Sequence, residues 1–146
     1  MPGIRYAPDS PLIPTTPGAL LEWAAAHIER VGIYQSRTHL FSGPGRLTTK
    51  RCSVGGALDI AAGRDRMDSS PTYDENAVAA PLEEAYRVLA NHLNGAPVHA
   101  GDDVDPGNLH RVIVHQWTLA RGRTAQEAAA ALREAAELAD AAHRLF

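Results

Sequence analysis

A single cysteine in 146 residues excludes an intramolecular disulfide and any zinc site of the Cys-x-x-Cys type. Aromatic residues make up only 5% of the chain, which leaves the core to close-packed, alanine-rich helices with Leu, Val and Ile filling the gaps. No run approaches the ~20 apolar residues of a membrane-spanning helix. The N-terminus lacks an apolar stretch of signal-peptide length, so a cytoplasmic protein without membrane association is expected. There is no excess of positive charge either: a formal net charge of −3 does not fit an obligate nucleic-acid binder. The length suits one domain with one core.

What is present is distributed unevenly. Five of the ten prolines (Pro2, Pro8, Pro11, Pro14 and Pro17) fall in residues 1–17, a density that rules out a helix and predicts an extended proline-rich leader ahead of a helical domain over 18–146. The leader reads either as a surface-lying arm or as one that docks on a neighbouring subunit through Tyr6, Leu12 and Ile13. A first helix should open at Thr16 with Pro17 at its first position, where the missing N–H costs nothing, and end at Gly32. Leu20, Leu21, Trp23, Ala24, Ile28 and Val31 form its apolar stripe, with Trp23 and His27 read as packing residues.

Residues 52–62, Cys-Ser-Val-Gly-Gly-Ala-Leu-Asp-Ile-Ala-Ala, are apolar or small on nearly every side, with Ser53 and Asp59 as polar breaks. A helix without a polar face must be surrounded by others. Gly55, Gly56 and Ala57 allow close backbone approach, and Gly63 is a natural stop. This segment is the expected centre of the fold. Residues 33–50 read as a long loop with a tight turn at 42–45 or a short hairpin, and 64–76 as an exposed polar loop. Pro81 should confine the next helix to 81–94, with at most a loose turn over 75–80 and Gly95 as its stop. Leu82, Ala85, Tyr86, Leu89 and Leu93 form its expected buried face.

Asp105-Pro106 resembles a cap followed by a first-turn proline. Leu109, Val112, Ile113 and Trp117 then fit a helix, although Val112-Ile113-Val114 also suits a strand. Thr124-Ala-Gln-Glu127 is a capping box that opens a last helix, whose small-residue stripe runs from Ala125 to Ala142. Arg133–Glu137 and Asp140–Arg144 would brace its wet side. The sum is an all-α single-domain bundle of about five helices around the 52–62 segment.

Several of these features coincide in order: an alanine-rich helix ending in glycine, Cys52-x-Val-Gly-x-Ala-Leu58, a mid-chain helix, then Trp117 shortly before Arg123-Thr-Ala-x-Glu127. Over about residues 18–140 the chain resembles a family of small bacterial and phage-borne helical domains of unknown function. That family's markers are Cys-Ala-Val-Gly-Ala, Trp-Asn-Asp and an Arg-Thr that opens the last helix. Here Ser53 replaces the alanine, Gly56 is an extra glycine, and Trp117-Thr118-Leu119 stands for Trp-Asn-Asp. If the Asn-Asp pair works as a site in the family, this member lacks it. The resemblance implies a helical fold and no known activity.

Four places could carry chemistry. Cys52, at an expected helix N-terminus after Lys50-Arg51, is a nucleophile candidate, with Asp59 or a histidine as partner, set against plain core packing. His92, His99, His110 and His115 lie near Asp102, Asp103 and Asp105 without metal-motif spacing, and Val114 stands where a calcium loop from Asp103 needs glutamate. No metal and no cofactor is expected. The basic residues Arg46, Lys50, Arg51, Arg64 and Arg66 would suit phosphate or a nucleic-acid backbone. Ala131, Leu138 and Leu145, with Phe146, could form a self-association seam. The reading is a non-enzymatic interaction or structural protein of phage or mobile-element origin, cytoplasmic or virion-associated. Its partner is a protein or a second copy, and its candidate binding residues are Tyr6, Leu12, Ile13, Arg46, Lys50, Arg51, Trp117 and Arg123. The alternatives are a small cysteine-dependent enzyme using Cys52 with a histidine, and a phosphate or nucleic-acid binder using the 46–66 segment.

Overall fold

Thr16 opens the first helix as its sequence demands: its side-chain oxygen accepts from the Ala19 N–H at 3.2 Å, and Pro17 takes the first helical position. This helix, α1 (Pro17–Val31), ends at Gly32 with φ +95°. The computed structural model describes residues 6–7, 12–43, 45–64 and 74–145. Most of the leader, Pro44, the 65–73 stretch with Arg66, the side chain of Leu145, and Phe146 lie outside the described residues. Four more helices follow: α2 (Val54–Ala61), α3 (Glu75–Asn94), α4 (Pro106–Thr118) and α5 (Ala125–Leu145). Among the described residues there is no β-strand, only isolated bridges from Cys52 to Ile33 and Phe41 and a 3₁₀ turn over Leu47–Thr49. Over the described residues the chain is all-α, a small bundle of five helices. None of the described helices is long and apolar enough to cross a membrane.

The hub is α1, not the 52–62 segment. Its buried residues Leu20, Leu21, Trp23, Ala24, Ala25, His27 and Ile28 face more than one way, because α5, α2 and α3 all pack on it. The reason is length: α2 has eight residues, about 12 Å at the helical rise, too short to serve as the axis of helices of 15 to 21 residues. Every α2 residue except Asp59 is nonetheless buried, as a helix without a polar face requires. The alanine stripe of α5 lies chiefly on α1 and then on α3. Its Arg133 reaches across to Glu29 of α1 at 2.5 Å and to Glu22 at 3.6 Å, rather than along its own helix to Glu137.

Gly56 shows why α2 can lie so deep. A Cβ there would stand 3.0 Å from the Leu40 carbonyl oxygen and 3.3 Å from the Phe41 ring, so the incoming loop rests directly on helix backbone. Beyond Gly63 (φ +76°), α3 corrects the expected break at Pro81: the helix runs unbroken from Glu75 through the proline. Pro81 cannot donate to the Ala77 carbonyl, a loss of about 3 kcal/mol. The turn before it is held by three other means. The Asp74 carboxylate caps the Asn76 and Ala77 N–H groups at 3.0 and 3.4 Å, Arg64 pairs with Glu75 at 2.7 Å, and Val78 and Leu82 are buried on either side. The segment open to either helix or strand, 109–117, is helix. Its buried residues are His110, Val114 and Thr118, one turn apart, while Val112, expected in the stripe, is 48% exposed. The capping box stands as read, with Glu127 N–H on Thr124 Oγ1 at 3.1 Å and Thr124 N–H on Glu127 Oε1 at 3.2 Å.

His27 couples the hub to the leader. Its ring stacks on Trp23 with centroids 5.0 Å apart, and its Nδ1 lies 2.7 Å from the Tyr6 hydroxyl. Arg30 approaches the same hydroxyl oxygen as a donor at 3.4 Å, which leaves the phenolic proton for Nδ1. Nε2 is buried without a partner. Burial, with Arg30 adding to it, lowers the imidazole pKa to about 4, against an unperturbed 6.5. Because the folded pKa lies below the unfolded one, unfolding takes up a proton. The contribution is complete above pH 6.5 and is lost as pH falls toward 4, amounting to about 3 kcal/mol. Urea unfolding at stepped pH should show stability falling through that window, with a shallower slope in His27→Phe. Equal slopes would place the titration elsewhere.

Candidate functional site

Cys52 is not at a helix N-terminus. It precedes the cap, and its backbone is pinned to the 32–34 segment, its N–H on the Gly32 carbonyl at 3.2 Å and its carbonyl accepting from Tyr34 at 2.8 Å. Ser53 is the cap of α2, accepting from the Gly56 N–H at 2.9 Å. The thiol has no solvent exposure and is pushed by burial up to about 12. A thiol in that state is neither ionised at neutral pH nor within reach of a substrate. Asp59 is not its partner either.

Asp59 instead belongs to an open cleft of about 770 Å³ where α2, α3, α4 and the 37–40 segment converge. The Tyr86 hydroxyl, buried on α3, stands 3.0 Å from the Gly55 carbonyl and 3.2 Å from Asp59 Oδ1. A phenol has one proton for these two acceptors. A neutral Asp59 carboxyl can donate to the phenol oxygen while the phenol donates to Gly55, whereas an ionised Asp59 competes with Gly55 for the same proton. Burial raises the proton affinity of Asp59, and the Tyr86 hydrogen bond and the charges of Arg64 and Arg111 act against that rise. Tyr86 is raised well above the ordinary phenol value, again chiefly by burial and then by Asp59.

Arg111 of α4 lies over the Tyr86 ring, its guanidinium carbon 4.3 Å from the centroid, and donates from Nη1 to Glu83 Oε1 at 2.6 Å. Arg111, Val112, His115, Gln116 and Leu119 all line the cleft, the i, i+1, i+4, i+5, i+8 pattern of one helix face. The opposite wall is Arg37–Leu40. Gln35 fixes its start by donating from Nε2 to the carbonyls of Thr118 at 2.9 Å and Ala120 at 2.7 Å, both at the end of α4. Its far end is fixed where Ser53 N–H meets the Leu40 carbonyl at 2.8 Å. Leu40 and Val112 are 37% and 48% exposed, so apolar side chains stand at the rim of the cleft beside the exposed Arg37, Thr38, His39 and Gln116.

Of the candidate site residues singled out from sequence, Asp59 and His115 line this cleft. Tyr6 packs within its own chain, edge-on to Trp23 at 4.8 Å and bonded to His27; Ile13 packs against the core, and Leu12 is 62% exposed. Arg46 and Arg51 are exposed and Lys50 is half-buried, with the Arg51 guanidinium 5.8 Å from the Tyr34 ring centroid. Arg64 is engaged with Glu75. Trp117 and Arg123 form an internal clamp, the guanidinium 3.7 Å above the indole and Nε donating to the Trp117 carbonyl at 3.1 Å. Among the described residues no three His, Cys, Asp or Glu side chains are grouped so as to hold a metal ion. Arg37 and Arg111 were not named as site residues from sequence, Tyr86 was read only as a packing residue and His115 only as a metal candidate; they are drawn from separate elements and share no motif. The one local signal was the i, i+4 spacing of Arg111 and His115 on a helix whose apolar stripe lay elsewhere. For the thiol the expectation is direct: alkylation of Cys52 should be far slower in the folded protein than in urea, from pH 6 to 9, and a faster reaction in the folded state would contradict its burial.

No curated protein and no solved structure is significantly similar to this chain. A family model does match, over residues 12–138, which takes in α1 to α4, most of α5 and the whole cleft. The chain belongs to that family, DUF6197, a family of unknown function.

Proposed function

We propose that this protein is a non-enzymatic binding module whose recognition site is the cleft between α2, α3, α4 and residues 37–40. One observation carries this reading: four separate segments converge there to set Asp59, Tyr86, Arg111 and His115 around one open hollow with exposed Leu40 and Val112 beside it. Clefts of this size, with a few convergent polar groups and apolar walls, are where small molecules bind. The chain's single cysteine is sealed away from the hollow, which removes the nucleophile that the cysteine-enzyme alternative requires. The basic-loop alternative is weakened because Arg64 is spent on Glu75.

Amide NMR with a mixed panel of small anionic, cationic and neutral organic compounds tests the reading. The expected perturbations gather on residues 37–40, 55–59 and 111–119, and they persist in Cys52→Ala. Perturbations confined to the outer face of α5 or to the leader would overturn it in favour of a helix-surface or arm interaction.

A further inference from the structure

The cleft's charges are placed so that their class of ligand can be read from them. Arg111 is held on three sides: Tyr86 lies beneath its plane at 4.3 Å, Glu83 takes Nη1 at 2.6 Å, and its own helix fixes the stem. A guanidinium carries five N–H donors in a rigid fork. Only Nη1 has a hydrogen-bond acceptor among the described residues, while the side chain remains 32% exposed toward the cleft. The fork is therefore fixed in place with donors to spare, the arrangement that suits a planar oxyanion.

Arg37 stands on the facing wall, exposed and without an acidic partner among the described residues. His39 of that wall and His115 of α4 are the other titratable groups there, and neither is an anion in any state. α3 contributes Tyr86, which burial keeps protonated, and the Glu83 already committed to Arg111. α2 contributes Asp59, the one carboxyl that lines the hollow. Its carboxyl is engaged with the Tyr86 hydroxyl at 3.2 Å, and burial raises its proton affinity, which lessens its repulsion of a second oxyanion. Away from these groups the lining is uncharged, with Leu40, Val112 and Leu119 as its apolar side chains beside Thr38, Gln116 and Gly55.

We infer that the cleft binds a small organic carboxylate with an apolar body, its carboxylate between Arg111 and Arg37 and its hydrocarbon against Leu40, Val112 and Leu119. This rests on the cleft being the binding site proposed above. It adds the sign of the ligand's charge, its headgroup geometry and its orientation.

Titration calorimetry of the full chain with hexanoate, hexanol and hexylamine, three ligands with one hydrocarbon and different headgroups, tests the inference. Hexanoate should bind at least about tenfold more tightly than hexanol, and hexylamine more weakly than either. Arg37→Gln alters an exposed side chain that holds no hydrogen bond or ion pair among the described residues and so leaves the fold intact. It should weaken hexanoate about tenfold and leave hexanol unchanged, while Arg111→Met should cost more. Inorganic sulfate should not match hexanoate, because it has no apolar body. If hexanol or hexylamine binds as well as hexanoate, the cleft stands as a binding site and the carboxylate assignment falls. If none of the three binds, the assignment and the cleft reading fall together.

Discussion

The Tyr86 hydroxyl is where the core of this protein and its cleft become one structure. Its ring belongs to the buried face of α3, and its oxygen reaches α2 at the Gly55 carbonyl and the Asp59 carboxyl. Two features of α2 permit that reach. Gly55 has no side chain to hold the phenol away, since a Cβ there would stand 3.1 Å from the hydroxyl. Gly56 lets the Leu40 carbonyl settle on the opposite part of the same short helix, which brings the 37–40 wall to the cleft. The glycine pair thus sets the depth of α2, and the depth of α2 puts Asp59, its single incompletely buried residue, at the cleft floor.

Charge placement follows from this packing. Asp59 sits where its ionised form is disfavoured, and the groups that oppose that tendency, Tyr86, Arg64 and Arg111, come from α3, the end of α2 and α4. Arg111 is in turn oriented by the Tyr86 face and by Glu83. The same phenol therefore supports an acid through its hydroxyl and a base through its ring. Such a network, built around the buried Tyr86, holds its members more rigidly than isolated exposed pairs do. The surface bridges of the molecule, such as Arg133 to Glu29 or Arg87 to Glu84, brace helices and bear on no cleft.

Local chemistry was legible in the sequence. The Thr16 cap with Pro17, the Thr124–Glu127 box and the stops at Gly32, Gly63 and Gly95 all stand, because each is decided within a few residues. Burial of α2 was legible as well, from its lack of a polar face. Pro81 misled because the penalty of a proline is local, while the Asp74 cap, the Arg64–Glu75 pair and the burial of Val78 and Leu82 that offset it are partly tertiary. Cys52 misled by one structural position: Ser53, read as a break, is the true cap. The hub role of α1 was hidden because amphipathic pattern shows that a helix is buried and not how many neighbours bury it. The cleft was least legible. Arg37, Asp59, Tyr86 and Arg111 lie on four segments with ordinary local roles, and only the fold brings them together. The leader's Tyr6 reads alone as a free anchor, and its contact with His27 depends equally on tertiary docking.

The most direct test of this account follows the side-chain carboxyl carbon of Asp59 by NMR through a pH titration, in the native protein and in Tyr86→Phe. The native midpoint should lie above the ordinary aspartate value. In the variant the midpoint moves higher still, because the hydrogen bond that favoured the carboxylate is gone while the burial remains. A native midpoint at the ordinary value, or one indifferent to the loss of the phenol hydroxyl, would contradict the claim that Tyr86 joins the core to the cleft.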